Sequence, residues 1–244
     1  MKKFLTSSGL EVPAVTADQM REIDRIAMEE TGPNLFQMME NGGRCLALIT
    51  IGTLLEKWKK ANIIVMAGAG GNGGGGICAA RHLANRKACV KLCLSNPDKL
   101  SEVPAFQRKI YLAAGGKEIG FEKLKKEKPD FIIDALIGYS LNGAPRGRTL
   151  ELIEWANHSK AEIFSLDIPS GIDSTSGKTP GKFIKAMGTV TLALPKSGLT
   201  NKNSGKLFLA DLGIPEATFK KIGITRRDPF GENFFAPMKI IDED

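Results

Sequence analysis

Three ionisable side chains fall where apolar runs stop. Asp134 closes Phe131-Ile132-Ile133, Asp167 follows Ile163-Phe164-Ser165-Leu166, and Lys196 comes just after Val190 to Leu194 and Pro195. A carboxylate is costly to bury alone, so one set in an apolar run is paired, metal-bound or tuned for proton transfer. Asp134, Asp167 and Lys196 are therefore the acid–base candidates. Each has a plainer alternative: either aspartate could cap a following turn, and Lys196 could lay its stem along apolar surface with its ammonium in water. Nucleophilic chemistry has less support. The chain has neither Gly-x-Ser-x-Gly nor His-Glu-x-x-His, and its cysteines and histidines form no suitably placed pair.

The segment Gly68 to Gly76 places seven glycines among nine residues, directly after the β-branched run Ile63-Ile64-Val65-Met66. Read as strand, glycine turn and then a helix over Ile77 to Arg86, it would offer backbone N–H groups and a helix N-terminus to a phosphate. Its first six residues satisfy the dinucleotide fingerprint G-x-G-x-x-G, but that motif also needs an acidic residue closing the next strand, which here ends Leu94-Ser95-Asn96. An ordinary nicotinamide dehydrogenase is thereby disfavoured. The missing Gly-Lys-Ser/Thr excludes a P-loop. Asn72 is the one polar side chain in the segment, readable as a turn residue or as a ligand.

These positions need a scaffold of strands and helices, and 244 residues with 42% hydrophobic content can bury one large core, so residues 1–244 are expected to form one domain. Thr16-Ala17-Asp18-Gln19 has the form of a capping box and opens a helix that Gly32-Pro33 stops. A second helix spans roughly 34–57, with Gly42-Gly43 read equally as a packing or a functional feature. Further strands are expected at 88–94, 130–136, 162–166, 190–194 and 206–210, and helices at 103–114, 149–157 and 216–221. The basic stretch Lys123 to Lys128 reads as a solvated helix face, and the tail from Asp228 to Pro237 as cover for a sheet edge before a frayed Asp-Glu-Asp end. The alternation predicts an α/β fold with a mostly parallel sheet covered on both faces and ligands at the carboxyl ends of its strands.

A net charge of +7 suits an anionic small ligand and says little for nucleic acid, which is not expected as a partner. Cys45, Cys78, Cys89 and Cys93 lack Cys-x-x-Cys spacing and read as free thiols. The apolar start Phe4-Leu5 ends too soon for a signal peptide, and no apolar run is long enough to span a membrane, so the expected location is the cytoplasm.

In order along the chain, Arg21-Glu22-Ile23-Asp24 with Ala27, Met38-Met39-Glu40-Asn41-Gly42-Gly43, the glycine segment, Ala80-Arg81-His82-Leu83, Asp134-Ala135-Leu136-Ile137-Gly138, Asp167-Ile168-Pro169-Ser170-Gly171 and Leu194-Pro195-Lys196 resemble the NAD(P)H-hydrate epimerases, the YjeF N-terminal domain family. The resemblance implies a Rossmann-like three-layer α/β/α sandwich, commonly a homodimer. It implies interconversion of the R and S forms of hydrated NADH or NADPH, alongside a separate dehydratase specific for one epimer. Asn72, Asp134 and Ser170 match its ligands for a monovalent cation, usually potassium, an oxygen-only set suited to a hard cation. Gly71, Asn72, Gly73, Gly74 and Gly75, with Gly138, Tyr139, Ser140, Leu141, Asn142, Gly143 and Ala144, match its substrate-binding loops. Asp167 matches the aspartate at the hydrated ring, the implied acid–base group, and Lys196 a lysine near the same pocket.

This chain departs from the family's G-x-G-N-N-G-G-D-G at Gly71 and Gly75, which stand for the first Asn and the Asp. The stretch Gly205 to Phe235 also resembles the YjeF-like domain of the enhancer of mRNA decapping protein. That keeps a second reading open: a non-catalytic nucleotide-binding or RNA-linked dimerisation module.

Overall fold

The computed structural model describes residues 2–242. In chain order these form β1 (Lys2–Thr6), α1 (Ala17–Ile26), α2 (Leu35–Leu54), β2 (Ile63–Ala67), α3 (Gly71–Asn85), β3 (Val90–Leu94), α4 (Glu102–Ala113), β4 (Lys117–Glu118) and α5 (Phe121–Leu124). There follow β5 (Phe131–Ala135), α6 (Gly147–His158), β6 (Glu162–Leu166), β7 (Gly188–Leu192), β8 (Lys206–Ala210), α7 (Glu216–Lys220) and β9 (Phe235–Asp242). One sheet holds the strands in the order β1-β9-β8-β7-β6-β5-β2-β3-β4, parallel from β8 through β4 and antiparallel where β9 meets β8 and β1.

Alternation within the central strands shows why both faces must be covered. Ile63, Val65 and Ala67 of β2 belong to a core shared with α2, α3 and α4, whereas Ile64 and Met66 point to a second core with α5 and α6. A strand apolar on both faces is stable only between two helical layers, and the chain forms that α/β/α sandwich. From β2 the chain winds outward through β3 to β4, then returns to β5 on the other side of β2 and winds out through β6 and β7 to β8. The winding direction thus reverses between β2 and β5, where adjacent strand ends part and leave a crevice.

The Thr16 capping box forms as expected, with Gln19 N–H donating to Thr16 Oγ1 at 3.3 Å and Thr16 N–H to Gln19 Oε1 at 2.9 Å. Asn34 and Gln37 build the same reciprocal cap on α2. Gly43 resolves as a packing residue, since a Cβ there would stand 2.5 Å from the Cys78 Cβ on α3. On the same contact Glu40 of α2 accepts hydrogen bonds from Arg81 at 2.5 Å and His82 at 2.9 Å, so these motif residues tie α2 to α3.

Three expectations need correction. The segment Gly71 to Gly76 is helical rather than a turn, and none of the residues from Gly68 to Gly76 has positive φ. Its glycines serve close approach: a Cβ would lie 1.9 Å from the Gly68 carbonyl oxygen at Gly73 and 2.3 Å from the Ala135 Cβ at Gly76. The tail does not cover a sheet edge but enters the sheet as β9, paired on one side with the unforeseen β1. The basic stretch contributes only the end of one-turn α5 before turning. Asp242, of the acidic end, pairs in register with Lys2, and Glu243 and Asp244 lie outside the described residues.

Candidate active site

The carboxyl ends of β5, β6 and β7 carry the three residues that the apolar runs single out, and the fold gives them different partners. Asp134 is fully buried in β5. Its Oδ1 accepts from Ser170 Oγ at 2.6 Å and Leu136 N–H at 3.2 Å, and its Oδ2 from Ser165 Oγ at 2.7 Å and Ser170 N–H at 2.9 Å. Burial raises its proton affinity and these bonds oppose the shift. Asp134 therefore knots the ends of β5 and β6 together, and with both oxygens engaged it is no free proton carrier.

Asp167 follows β6 with φ at 70°, a left-handed conformation that a non-glycine residue holds only when the surroundings enforce it. Its N–H is held by the Val190 carbonyl at 2.7 Å, which draws the backbone back to β7. Its Oδ2 accepts from Tyr139 N–H at 2.9 Å, and its Oδ1 lies 2.5 Å from Lys196 Nζ. Lys196 is wholly buried and also donates to the carbonyls of Leu192 at 2.7 Å and Leu194 at 3.1 Å. All three ammonium donors thus have acceptors, which is what a buried lysine requires and a snorkelling one does not.

Above this pair lies a cavity of about 490 Å³ at the switch point. Gly70, Gly71 and Asn72 bound it at the start of α3, and Leu136 to Ser140 after β5. Asp167 and Lys196 line it too, and Met20, Arg21, Asp24, Arg25 and Met28 form a wall running along α1 into the turn beyond it. That wall is fixed by a bridge between Val15 and Lys196, in which Val15 N–H bonds the Pro195 carbonyl and Ser197 N–H the Val15 carbonyl, each at 2.9 Å. Asp24 thereby faces the sheet edge, and its Oδ2 accepts from Tyr139 Oη at 2.6 Å. Burial pushes the Asp24 carboxyl up to about 6, with the Tyr139 bond and the Lys196 charge pulling the other way.

Of the expected substrate-binding residues, Gly71, Asn72, Gly138, Tyr139 and Ser140 line this cavity. Gly73, Gly74 and Gly75 are instead buried inside α3, and Leu141, Asn142, Gly143 and Ala144 lie outside the lining. At Gly75 a Cβ would stand 2.7 Å from Leu166 Cδ2, the tip of a buried side chain that would have to shift to admit it. At Gly71 the nearest atom is 3.9 Å away, so that position is open towards the cavity. Asp24 and Arg21 were not singled out as site residues by the sequence. The signal was present in Asp24's spacing, one turn from Met20 and beside Ile23 and Ala27, which sets an acid into the apolar stripe of α1.

The oxygen set expected for a cation is brought together in part. Ser170 and Asp134 are in direct contact, and Asn72 packs beside Gly138, whose Cβ position would be 3.2 Å from the Asn72 amide carbon. Both polar atoms of the Asn72 amide are buried without a partner. An orphaned amide is costly, and a hard cation held by its Oδ1 would relieve that cost. Ser170 Oγ, which donates to Asp134 and accepts from Ile137 N–H at 2.9 Å, keeps a lone pair for the same ion. The residues fit such an ion.

Fold and site together define an open α/β sandwich with a ligand cavity at its switch point and a buried aspartate–lysine pair at the cavity floor. More particularly, the chain belongs to the family described as YjeF-related protein N-terminus, whose model matches residues 35–198. It is 49% identical to the NAD(P)H-hydrate epimerase of Dehalogenimonas lykanthroporepellens over 93% of this chain and 94% of that protein. It is 32% identical to the NAD(P)H-hydrate epimerase of Rhodopirellula baltica, over 88% and 90%. The bifunctional NAD(P)H-hydrate repair enzyme Nnr of Moorella thermoacetica is 33% identical over 83% of this chain, which covers 41% of that longer protein. The crystal structure of yeast ynu0 shares the fold, with a TM-score of 0.76 at 24% identity over 89% of this chain and 96% of that one. Among the described residues, no helix is long and apolar enough to cross a membrane.

Proposed function

We propose that this chain is an NAD(P)H-hydrate epimerase that interconverts the R and S epimers of hydrated NADH and NADPH. The observation that carries the reading is the buried Asp167–Lys196 pair at the floor of the cavity, its carboxylate turned in by a left-handed backbone. A purely structural ion pair has no need of that conformation or of that place at a switch point. The relatives' names agree with it, and a decayed, non-catalytic module would have no use for the pair.

Asp167 exchanges protons with the hydroxyl of the hydrated ring, and Lys196 holds it in position. Arg21 at the cavity wall, whose ion pair with Asp18 is exposed to solvent, suits a diphosphate, whereas Arg25 is engaged by Glu22, Glu29 and Glu30. Asn72 and Ser170 would hold potassium through their oxygens, with Asp134 behind Ser170 supplying the compensating charge, and the ion would order the loops that carry the site. A dehydratase specific for one epimer is the expected consumer of the product. The test follows equilibration of a single purified hydrate epimer by NMR or chromatography, with potassium and with potassium replaced by a bulky organic cation. Acceleration that depends on potassium is the expected result, and no acceleration under either condition overturns the reading.

A further inference from the structure

We propose that Asp24 is a second catalytic acid–base group of this cavity, acting on the substrate from the α1 wall while Asp167 acts from the sheet edge. The proposal rests on the epimerase reading and adds a residue to it. Inverting a carbon that bears a hydroxyl requires oxygen to leave one face and arrive at the other, and one carboxylate at a fixed place serves one face. The structure supplies two, linked by a single residue. Tyr139 donates its N–H to Asp167 at 2.9 Å and its hydroxyl to Asp24 at 2.6 Å, so the two carboxylates stand about a tyrosine side chain apart and both line the cavity.

The chemistry balances without an oxidant or a reductant. Water adds to the enamine of a dihydronicotinamide with its oxygen on the carbon next to nitrogen, so the hydrate is a hemiaminal. When protonated Asp24 gives its proton to that hydroxyl, the C–O bond breaks with both electrons on oxygen, water leaves, and the ring-nitrogen lone pair forms a C=N bond. A solvent water then adds to the opposite face. Its oxygen bonds the carbon, the C=N electron pair returns to nitrogen, and the surplus proton passes to Asp167. The reverse epimerisation starts with the proton on Asp167, and exchange with solvent resets the pair.

The groups that act on Asp24 are Tyr139 from the loop after β5 and Lys196 and Asp167 from the sheet edge, while Arg21 and Arg25 of its own helix line the same cavity and pair with Asp18 and with Glu22, Glu29 and Glu30. Burial outweighs the Tyr139 bond and the Lys196 charge and pushes the Asp24 carboxyl up to about 6, towards the range a proton donor needs. The plainer role, an anchor for Tyr139, makes a different prediction. Tyr139→Phe removes the same hydrogen bond and leaves the carboxyl in place.

The experiment compares wild type, Asp24→Asn, Tyr139→Phe and the exposed control Glu56→Gln, which lies outside the cavity lining, in the epimer-equilibration assay, with thermal melts and KM for each. Asp24→Asn is expected to lower kcat by about 10²- to 10⁴-fold, the range for losing a positioned acid–base group, with KM within a few-fold and the melt retained. Tyr139→Phe is expected to lose less than tenfold, and Glu56→Gln to match wild type. In ¹⁸O-labelled water the inverted product should carry the label. The proposal is overturned by an Asp24→Asn kcat within tenfold of wild type, by a loss confined to KM, by a Tyr139→Phe loss equal to that of Asp24→Asn, or by an unlabelled product. An inactive wild type would instead overturn the epimerase reading on which the proposal rests.

Discussion

The ends of β5 and β6 lie side by side, and each presents an aspartate, yet one is closed and the other open. Asp134 has both oxygens filled by donors from Ser165, Leu136 and Ser170. Asp167, one strand over, has a single backbone donor and a lysine, and turns towards the cavity. The same contrast runs along α3, where Gly75 is packed against Leu166 and Gly71 faces open space. A polar or small residue met on every side holds the fold together, and one left with a free direction can meet a ligand.

The comparison can be broken most directly at Asp134. Asp134→Ala strands two N–H groups and two hydroxyls in the core, at about 1–3 kcal/mol for each group left unsatisfied, so a loss on the order of 5 kcal/mol is expected. Chemical denaturation should show it, and a loss under about 1 kcal/mol would mean that Asp134 is not the knot described here. Lys196→Met leaves the Asp167 carboxylate buried and unpaired and should cost about 3 kcal/mol. Adding Asp167→Asn to it should restore much of that stability without restoring epimerase activity. A double variant no more stable than Lys196→Met alone would show that the pair is not the coupled unit inferred here.

Next in size is Gly75→Ala, which pushes a methyl into Leu166 and should destabilise by about 1–3 kcal/mol. Gly71→Ala should instead stabilise by up to about 1 kcal/mol through better helix propensity, so opposite shifts in Tm are expected from two substitutions four residues apart. The smallest effect sharpens the picture of the open side. The Asp24 carboxyl is raised from 3.8 to about 6 in the folded chain, so the folded state holds this proton more tightly than the unfolded one. Its contribution to stability is present below pH 3.8 and is lost as the pH rises through about 6. Asp24→Asn should flatten that part of the Tm–pH curve, and an unchanged slope would deny the shift.

What the sequence determined by itself was local. Short apolar runs announced β2, β3, β5, β6, β7 and β8, the Thr16 box announced α1, and acids at the ends of apolar runs picked out two residues whose partners the fold then set, because burial patterns and caps are written within a few residues. The order of motifs carried the family. Tertiary structure decided the rest, since it depends on residues far apart in the chain. Only the neighbours Leu166, Ala135 and Gly68 show that the glycines from Gly73 to Gly76 are there to let a helix pack, and only β8 shows that the tail is a strand. Asp134 and Asp167 look alike in sequence. Asp134 became a knot and Asp167 a cavity-lining carboxylate because the chain's reversal at β2 and β5 closed donors around the first and opened a cavity beside the second.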